Sequence, residues 1–180
     1  KKPAELMGEL LAEDISRLTG RSHTTKLFRI HRDVRFSKDK TPYNAHLHLL
    51  WSPTDQGPYP SWFLGSSPEY LTVFTGLPTQ SGEGLARYRA MIDRDGDAIS
   101  DALQTVEASV GASITDFGST PLKRVPKPFD PEHPHGDLLR RKSLVVGAPP
   151  RADWRESGFI PAVNATVEQL LPLWSLLDEG

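Results

Sequence analysis

The sequence contains no cysteine, which excludes disulfide bonds, thiolate metal sites and a cysteine nucleophile. It lacks any apolar run approaching the roughly 18 residues that a membrane-spanning helix needs, so we expect no membrane partner. Neither sign of charge dominates. The 21 basic and 23 acidic side chains give a net charge of −2, which argues against nucleic acid as the partner. Without cysteine or a visible targeting segment, we expect a cytoplasmic protein.

The sequence signatures of common catalytic and cofactor sites are also missing. There is no Gly-x-Ser-x-Gly nucleophile turn and no Walker phosphate loop, and the glycines at 82 and 84 do not form the Rossmann pattern. His133 and His135, together with His46 and His48, are of metal-ligand type, but no helical His-x-x-x-His or comparable spacing occurs. We therefore predict neither a cofactor nor a metal site.

What is present is the composition of an ordinary globular protein. The chain has 180 residues, 37% of them hydrophobic and 24% charged, which predicts one domain spanning residues 1–180. It opens with Lys1-Lys2-Pro3 rather than methionine and is in helical rhythm by Leu6. We therefore expect this domain to lack a short N-terminal helical segment.

Hydrophobic periodicity predicts an α+β fold in which helices pack on an antiparallel, meander-like sheet. The first helix is expected to bury a stripe that includes Leu6, Leu10 and Leu11 and to stop at Gly20. Later helices are predicted at 81–94, 97–110, 138–142 and 163–174. Strands are predicted at 26–36, 45–51, 61–65, 70–76, 114–117, 122–125 and 143–146. The short connections favour antiparallel pairing, and 126–136 is predicted to be an irregular loop.

The early basic segment, residues 29–40, has the highest density of candidate binding residues. Its five basic and two acidic side chains give a local charge of +3. On a strand, alternate side chains share one face about 7 Å apart, where two guanidinium groups can hold a phosphate or carboxylate. Arg32 falls in the apolar register, where a charge is costly unless paired or bound. The candidate ligand-binding residues here are Arg29, His31, Arg32, Asp33, Arg35, Lys38 and Lys40, with Tyr43 beyond them.

The late basic segment, residues 122–142, carries a second positive cluster. Six basic and three acidic side chains give it a charge of +3, whereas residues 81–116 carry seven acids against three arginines. If the fold brings the two basic segments together, they would form one electropositive groove. The candidate ligand-binding residues of the late segment are His133, His135 and Arg141.

Two separate blocks carry a resemblance to a known family. Residues 28–43 resemble the signature of the conserved hypothetical proteins of domain-of-unknown-function family 2461, and residues 122–143 supply a second match in the family's order. With the helical segments beside them, the resemblance spans nearly the whole chain. It implies a helical segment with a Trp-Phe pair before this chain's first residue. The family has no established activity, so the resemblance implies no catalytic residue.

Three interpretations of the basic segments follow from the residues. The first is binding of an anionic small molecule that carries phosphate or carboxylate groups. The second is a hydrolase acting on esters of those groups, with His31 or Asp33 as the proton carrier. The third is architectural, with arginines pairing to buried acids such as Asp33 and Asp130.

Overall fold

The computed structural model describes residues 2–28, 46–55, 57, 59–116, 119–150 and 154–180. The helices are α1 (Lys2–Thr19), α2 (Gly82–Val110), α3 (Gly136–Leu139), α4 (Trp154–Ser157) and α5 (Phe159–Asp178). The strands are β1 (His23–Leu27), β2 (Leu47–Pro53), β3 (Ser61–Ser66), β4 (Leu71–Leu77), β5 (Ser113–Thr115) and β6 (Leu144–Ala148). Within these residues, the strands form a six-stranded sheet in the order β1-β2-β3-β4-β6-β5, with antiparallel neighbours throughout. The predicted α+β fold with a meander-like sheet is confirmed.

One face of the meander carries the apolar core because alternate side chains point the same way. Leu49 of β2 pairs with Leu64 of β3, which pairs with Val73 of β4, and all three are buried. Helix α5 packs against α1, α2 and β4. Its Trp174 stacks on the buried Trp62 with ring centroids 6.4 Å apart. Among the described residues, no helix has the length and apolarity needed to cross a membrane.

Helix α1 meets the sheet most closely at Gly8. A Cβ at this position would lie 2.7 Å from Cγ2 of Thr25 and 3.1 Å from Cδ2 of Leu49. The Gly8 carbonyl accepts hydrogen bonds from Trp51 Nε1 at 2.9 Å and from Thr25 Oγ1 at 3.0 Å. Glycine therefore lets the helix backbone bind directly to two side chains of the sheet.

This close approach determines which residues of α1 are buried. The buried stripe follows Gly8 through Leu11 and Ile15, whereas Leu6 is 58% exposed and Leu10 is 43% exposed. Including Leu6 and Leu10 in the buried stripe was therefore wrong. Helical spacing identifies a set of neighbouring apolar residues, but the glycine contact selects the side of that set that faces the sheet.

The break predicted between the helices at 81–94 and 97–110 is confirmed. Helix α2 consists of two helical segments that meet at a kink, where Asp95 has a non-helical φ of −119° and ψ of 16°. The strand predicted at 122–125 is wrong because this stretch is irregular, and the Leu122 amide donates to the carbonyl of Arg140 instead of to a strand. Of the strand predicted at 26–36, residues 29–36 lie outside the described residues.

His23 begins β1 and is buried against α5. Its Nδ1 lies 2.7 Å from the carbonyl of Arg21, so Nδ1 carries the proton and donates. Its Nε2 is buried without a hydrogen-bond partner among the described residues. Burial lowers the pKa of His23 below its ordinary value of 6.5, with the Arg21 carbonyl opposing the shift. The folded protein therefore holds a neutral imidazole here.

We predict that His23 makes the fold sensitive to mild acid. The unfolded chain protonates this imidazole near pH 6.5, while the folded chain resists until a lower pH. The free energy of unfolding should therefore fall as the pH drops from 6.5 towards the lowered pKa, at most by about 1.4 kcal/mol per pH unit. Urea unfolding between pH 5 and 8 should show a shallower decline in His23→Asn, which keeps a donor for Arg21. Parallel curves for the two proteins would contradict this role.

Candidate functional site

All the candidate residues of the early basic segment fall outside the residues that the structure describes. Residues 29–45 lie outside the described residues, and this range holds Arg29, His31, Arg32, Asp33, Arg35, Lys38, Lys40 and Tyr43. The two ends of this range are described. The Phe28 amide donates to the carbonyl of His48 at 3.0 Å, so the described residues on either side of this range lie at the same end of the sheet.

Aromatic side chains surround that end of the sheet. The rings of His46 and His48 are stacked with centroids 6.0 Å apart, and His48 Nε2 lies 3.4 Å from the Tyr70 hydroxyl. The Lys26 ammonium lies 5.2 Å from the ring centroid of Phe28. Burial, followed by the neighbouring His46, lowers the pKa of His48, so this imidazole is neutral at pH 7.

The two histidines of the late basic segment lie side by side against helix α2. His133 Nε2 lies 3.1 Å from Asp93 Oδ1, and His135 Nε2 lies 2.8 Å from Asp97 Oδ1. The backbone amide of His135 donates to His133 Nδ1 at 3.0 Å. Because Nδ1 of His133 accepts this bond, its Nε2 carries the proton and donates to Asp93. Two imidazole–carboxylate contacts thus attach the loop to the helix.

A glycine makes room for the second of these histidines. A Cβ on Gly96 would lie 2.3 Å from Cδ2 of His135 and 2.7 Å from its Cγ. Gly96 follows the kinked residue Asp95 and precedes Asp97, the carboxylate partner of His135. The ring therefore lies against the helix backbone at the kink, where any other residue would displace it.

Arg141, the third described candidate, also has a carboxylate partner. Its Nη1 donates to Asp116 Oδ1 at 2.6 Å, just beyond the end of β5. The rings of His133 and His135 lie close together, with centroids 5.9 Å apart, and both contact aspartates of α2. All three described candidates thus have aspartate partners, and two of those partners belong to α2.

The late basic segment also forms a cavity that the candidate list missed. The cavity has a volume of about 750 Å³. Its cationic lining residues are Lys123, Arg124, Lys127 and Arg140. No ion pair joins Lys123, Arg124 or Lys127 to any described residue, whereas Arg140 pairs with Asp137. The Nε of Arg140 is buried without an acceptor among the described residues. The dense cluster of basic residues in this segment was the available signal.

Two other cavities lack this combination of size and charge. One has a volume of only about 20 Å³, and its lining includes Arg87 and Asp178. Another, of about 470 Å³, is lined by residues such as Ser109 and Gln169 and by no charged side chain. No group of three or more histidines and acids among the described residues is arranged to hold a metal ion.

Comparison with known proteins supports the resemblance read from the two motifs. The model of the family described as conserved hypothetical protein (DUF2461) matches residues 1–175. The chain therefore belongs to this family. A search of curated proteins finds no match.

We predict that Gly96→Ala is destabilising only while the His135 ring is present. In the wild-type background, the new methyl group would displace the ring, which should cost about 1–3 kcal/mol of unfolding free energy. In a His135→Ala background the same change should be neutral or stabilising by up to about 1 kcal/mol, because alanine favours a helix. Urea unfolding of all four proteins measures the coupling. Equal effects of Gly96→Ala in both backgrounds would show that the ring does not depend on this glycine.

Proposed function

We propose that this member of the conserved hypothetical protein family binds an anionic small molecule that carries phosphate or carboxylate groups. The observation that carries the proposal is the cavity of the late basic segment, with its four cationic lining residues. Three of them, Lys123, Arg124 and Lys127, have no carboxylate partner among the described residues. Cations that converge on a concave site bind phosphate and carboxylate through charge-assisted hydrogen bonds.

The distribution of acidic partners supports the same proposal. Arg141, His133 and His135 are each neutralised or oriented by an aspartate, and they hold the segment in place. These aspartates do not pair with the cationic side chains that line the cavity. A negatively charged ligand would neutralise the positive charge of the cavity lining, as anionic ligands do in other electropositive clefts.

The early basic segment is proposed as a second source of cationic contacts to the same ligand. The proposal rests on its charge of +3 and on candidates such as Arg32 and Arg35. The hydrolase interpretation, with His31 or Asp33 as proton carrier, stays a prediction. We also propose a cytoplasmic location, which rests on the absence of cysteine from the sequence.

We predict that anion binding weakens when the cavity cations without a carboxylate partner in the described part of the chain are removed. Pyrophosphate binding to the triple variant Lys123→Ala, Arg124→Ala, Lys127→Ala should be at least tenfold weaker by calorimetry, since tenfold corresponds to about 1.4 kcal/mol. The double variant Arg32→Ala, Arg35→Ala tests the early segment in the same assay. Weakening in both variants would assign both segments to one ligand.

The matched control removes three cations that do not line the cavity. Lys2, Arg17 and Arg155 are exposed and lie on α1 or α4. Their triple alanine variant has the same net charge as the cavity variant, and it should bind pyrophosphate within twofold of wild type. Equal weakening in the two triple variants would mean that net charge alone attracts the anion and that the cavity is not the site.

A further inference from the structure

The lining of the cavity also indicates what the uncharged part of the ligand is like. Four apolar side chains lie beside the cations: Val125, Pro128, Phe129 and Pro131. Val125 and Phe129 are half-buried and pack against the hydrophobic core. These two residues therefore form an apolar surface that is supported from behind by the core and faces the cavity in front. A bare phosphate ion makes no use of such a surface.

The loop that carries this surface is fixed by its own hydrogen bonds. The Phe129 amide donates to the Pro126 carbonyl at 3.2 Å, and the His133 amide donates to the Asp130 carbonyl at 3.0 Å. The Glu132 amide donates to Asp130 Oδ1 at 2.9 Å. With the histidine contacts to α2, these bonds hold the cavity wall in shape before any ligand arrives, which reduces the entropic cost of binding.

The size of the cavity also exceeds what the anionic group alone needs. Its volume of about 750 Å³ lies in the range of roughly 300–1,000 Å³ typical of sites for whole small molecules. A single water occupies about 30 Å³, and a phosphate group needs only a few times that volume. The cavity therefore has room for a molecule several times larger than its anionic group.

We infer that the ligand is an amphipathic anion, with a phosphate or carboxylate group on the cations and an aromatic or apolar ring on Phe129. This inference rests on the proposed function and adds the chemical class of the ligand's body. The charged end meets the cationic side chains of Arg124, Lys127 and Arg140. The ring lies on Phe129, where aromatic contact adds to simple burial. A small molecule rather than an acidic protein fits because cations and apolar surface share one concavity.

The test compares 1-naphthyl phosphate with inorganic phosphate by calorimetry. In the wild type, the aryl phosphate should bind at least tenfold more tightly. The ratio of the affinity for 1-naphthyl phosphate to the affinity for phosphate should fall at least fivefold in Phe129→Ala, while the phosphate affinity stays within twofold of wild type. Phe129→Leu should give an intermediate ratio. Tyr70→Ala is the matched control, because Tyr70 is an exposed aromatic residue outside the cavity lining, and its ratio should stay at the wild-type value.

The outcomes separate this inference from the proposed function. Equal affinities for the two compounds in the wild type, or an unchanged ratio in Phe129→Ala, would overturn the inference while leaving anion binding intact. If the triple variant Lys123→Ala, Arg124→Ala, Lys127→Ala binds phosphate as tightly as the wild type, the proposed function itself is overturned. Tighter binding of an acidic, tyrosine-containing peptide than of 1-naphthyl phosphate would overturn the small-molecule class. If Phe129→Ala does not fold, the ratio measured in Phe129→Leu decides.

Discussion

The cationic cavity depends on the attachment of one proline-rich loop to one kinked helix. His135 lies on the backbone of Gly96 and bonds to Asp97, while His133 bonds to Asp93 one turn earlier. These contacts fix the loop's far end, and the hydrogen bond between Leu122 and Arg140 fixes its near end. Between those two anchors, the loop's basic and apolar side chains form a single concave wall. The kink and the glycine are thus part of the candidate site, although neither lines it.

Charge segregation in the sequence is consistent with three cavity cations, Lys123, Arg124 and Lys127, having no carboxylate partner among the described residues. Helix α2 carries six acidic side chains against three arginines, and the late basic segment carries +3. The fold brings the helix's acids to the histidines rather than to the lysines. The histidines thereby serve as the attachment, and the permanently charged side chains are left for solvent or for a ligand. A net charge of −2 conceals this division.

Elements whose signal is local could be predicted from the sequence. Strand β2 alternates polar and apolar residues, and β3 and β4 are rich in aromatic and β-branched residues, so the sequence predicts all three. Features that depend on a distant contact could not be predicted. The helix break beside Gly96 was predicted, but the contact between Gly96 and the His135 ring was not. Nor was the contact of Gly8 with Trp51 and Thr25, which selects the buried side of α1. The cavity requires Arg140 to meet residues 123–131, which no spacing indicates.

The most direct test of the account is the location of the ligand on the protein. Amide chemical shifts of the isotope-labelled chain should be recorded during titration with 1-naphthyl phosphate. We predict that the largest shifts fall on residues 123–131 and on Arg140, with smaller ones at His133 and His135 through the loop. Shifts confined to other parts of the chain would contradict the assignment of this cavity as the binding site.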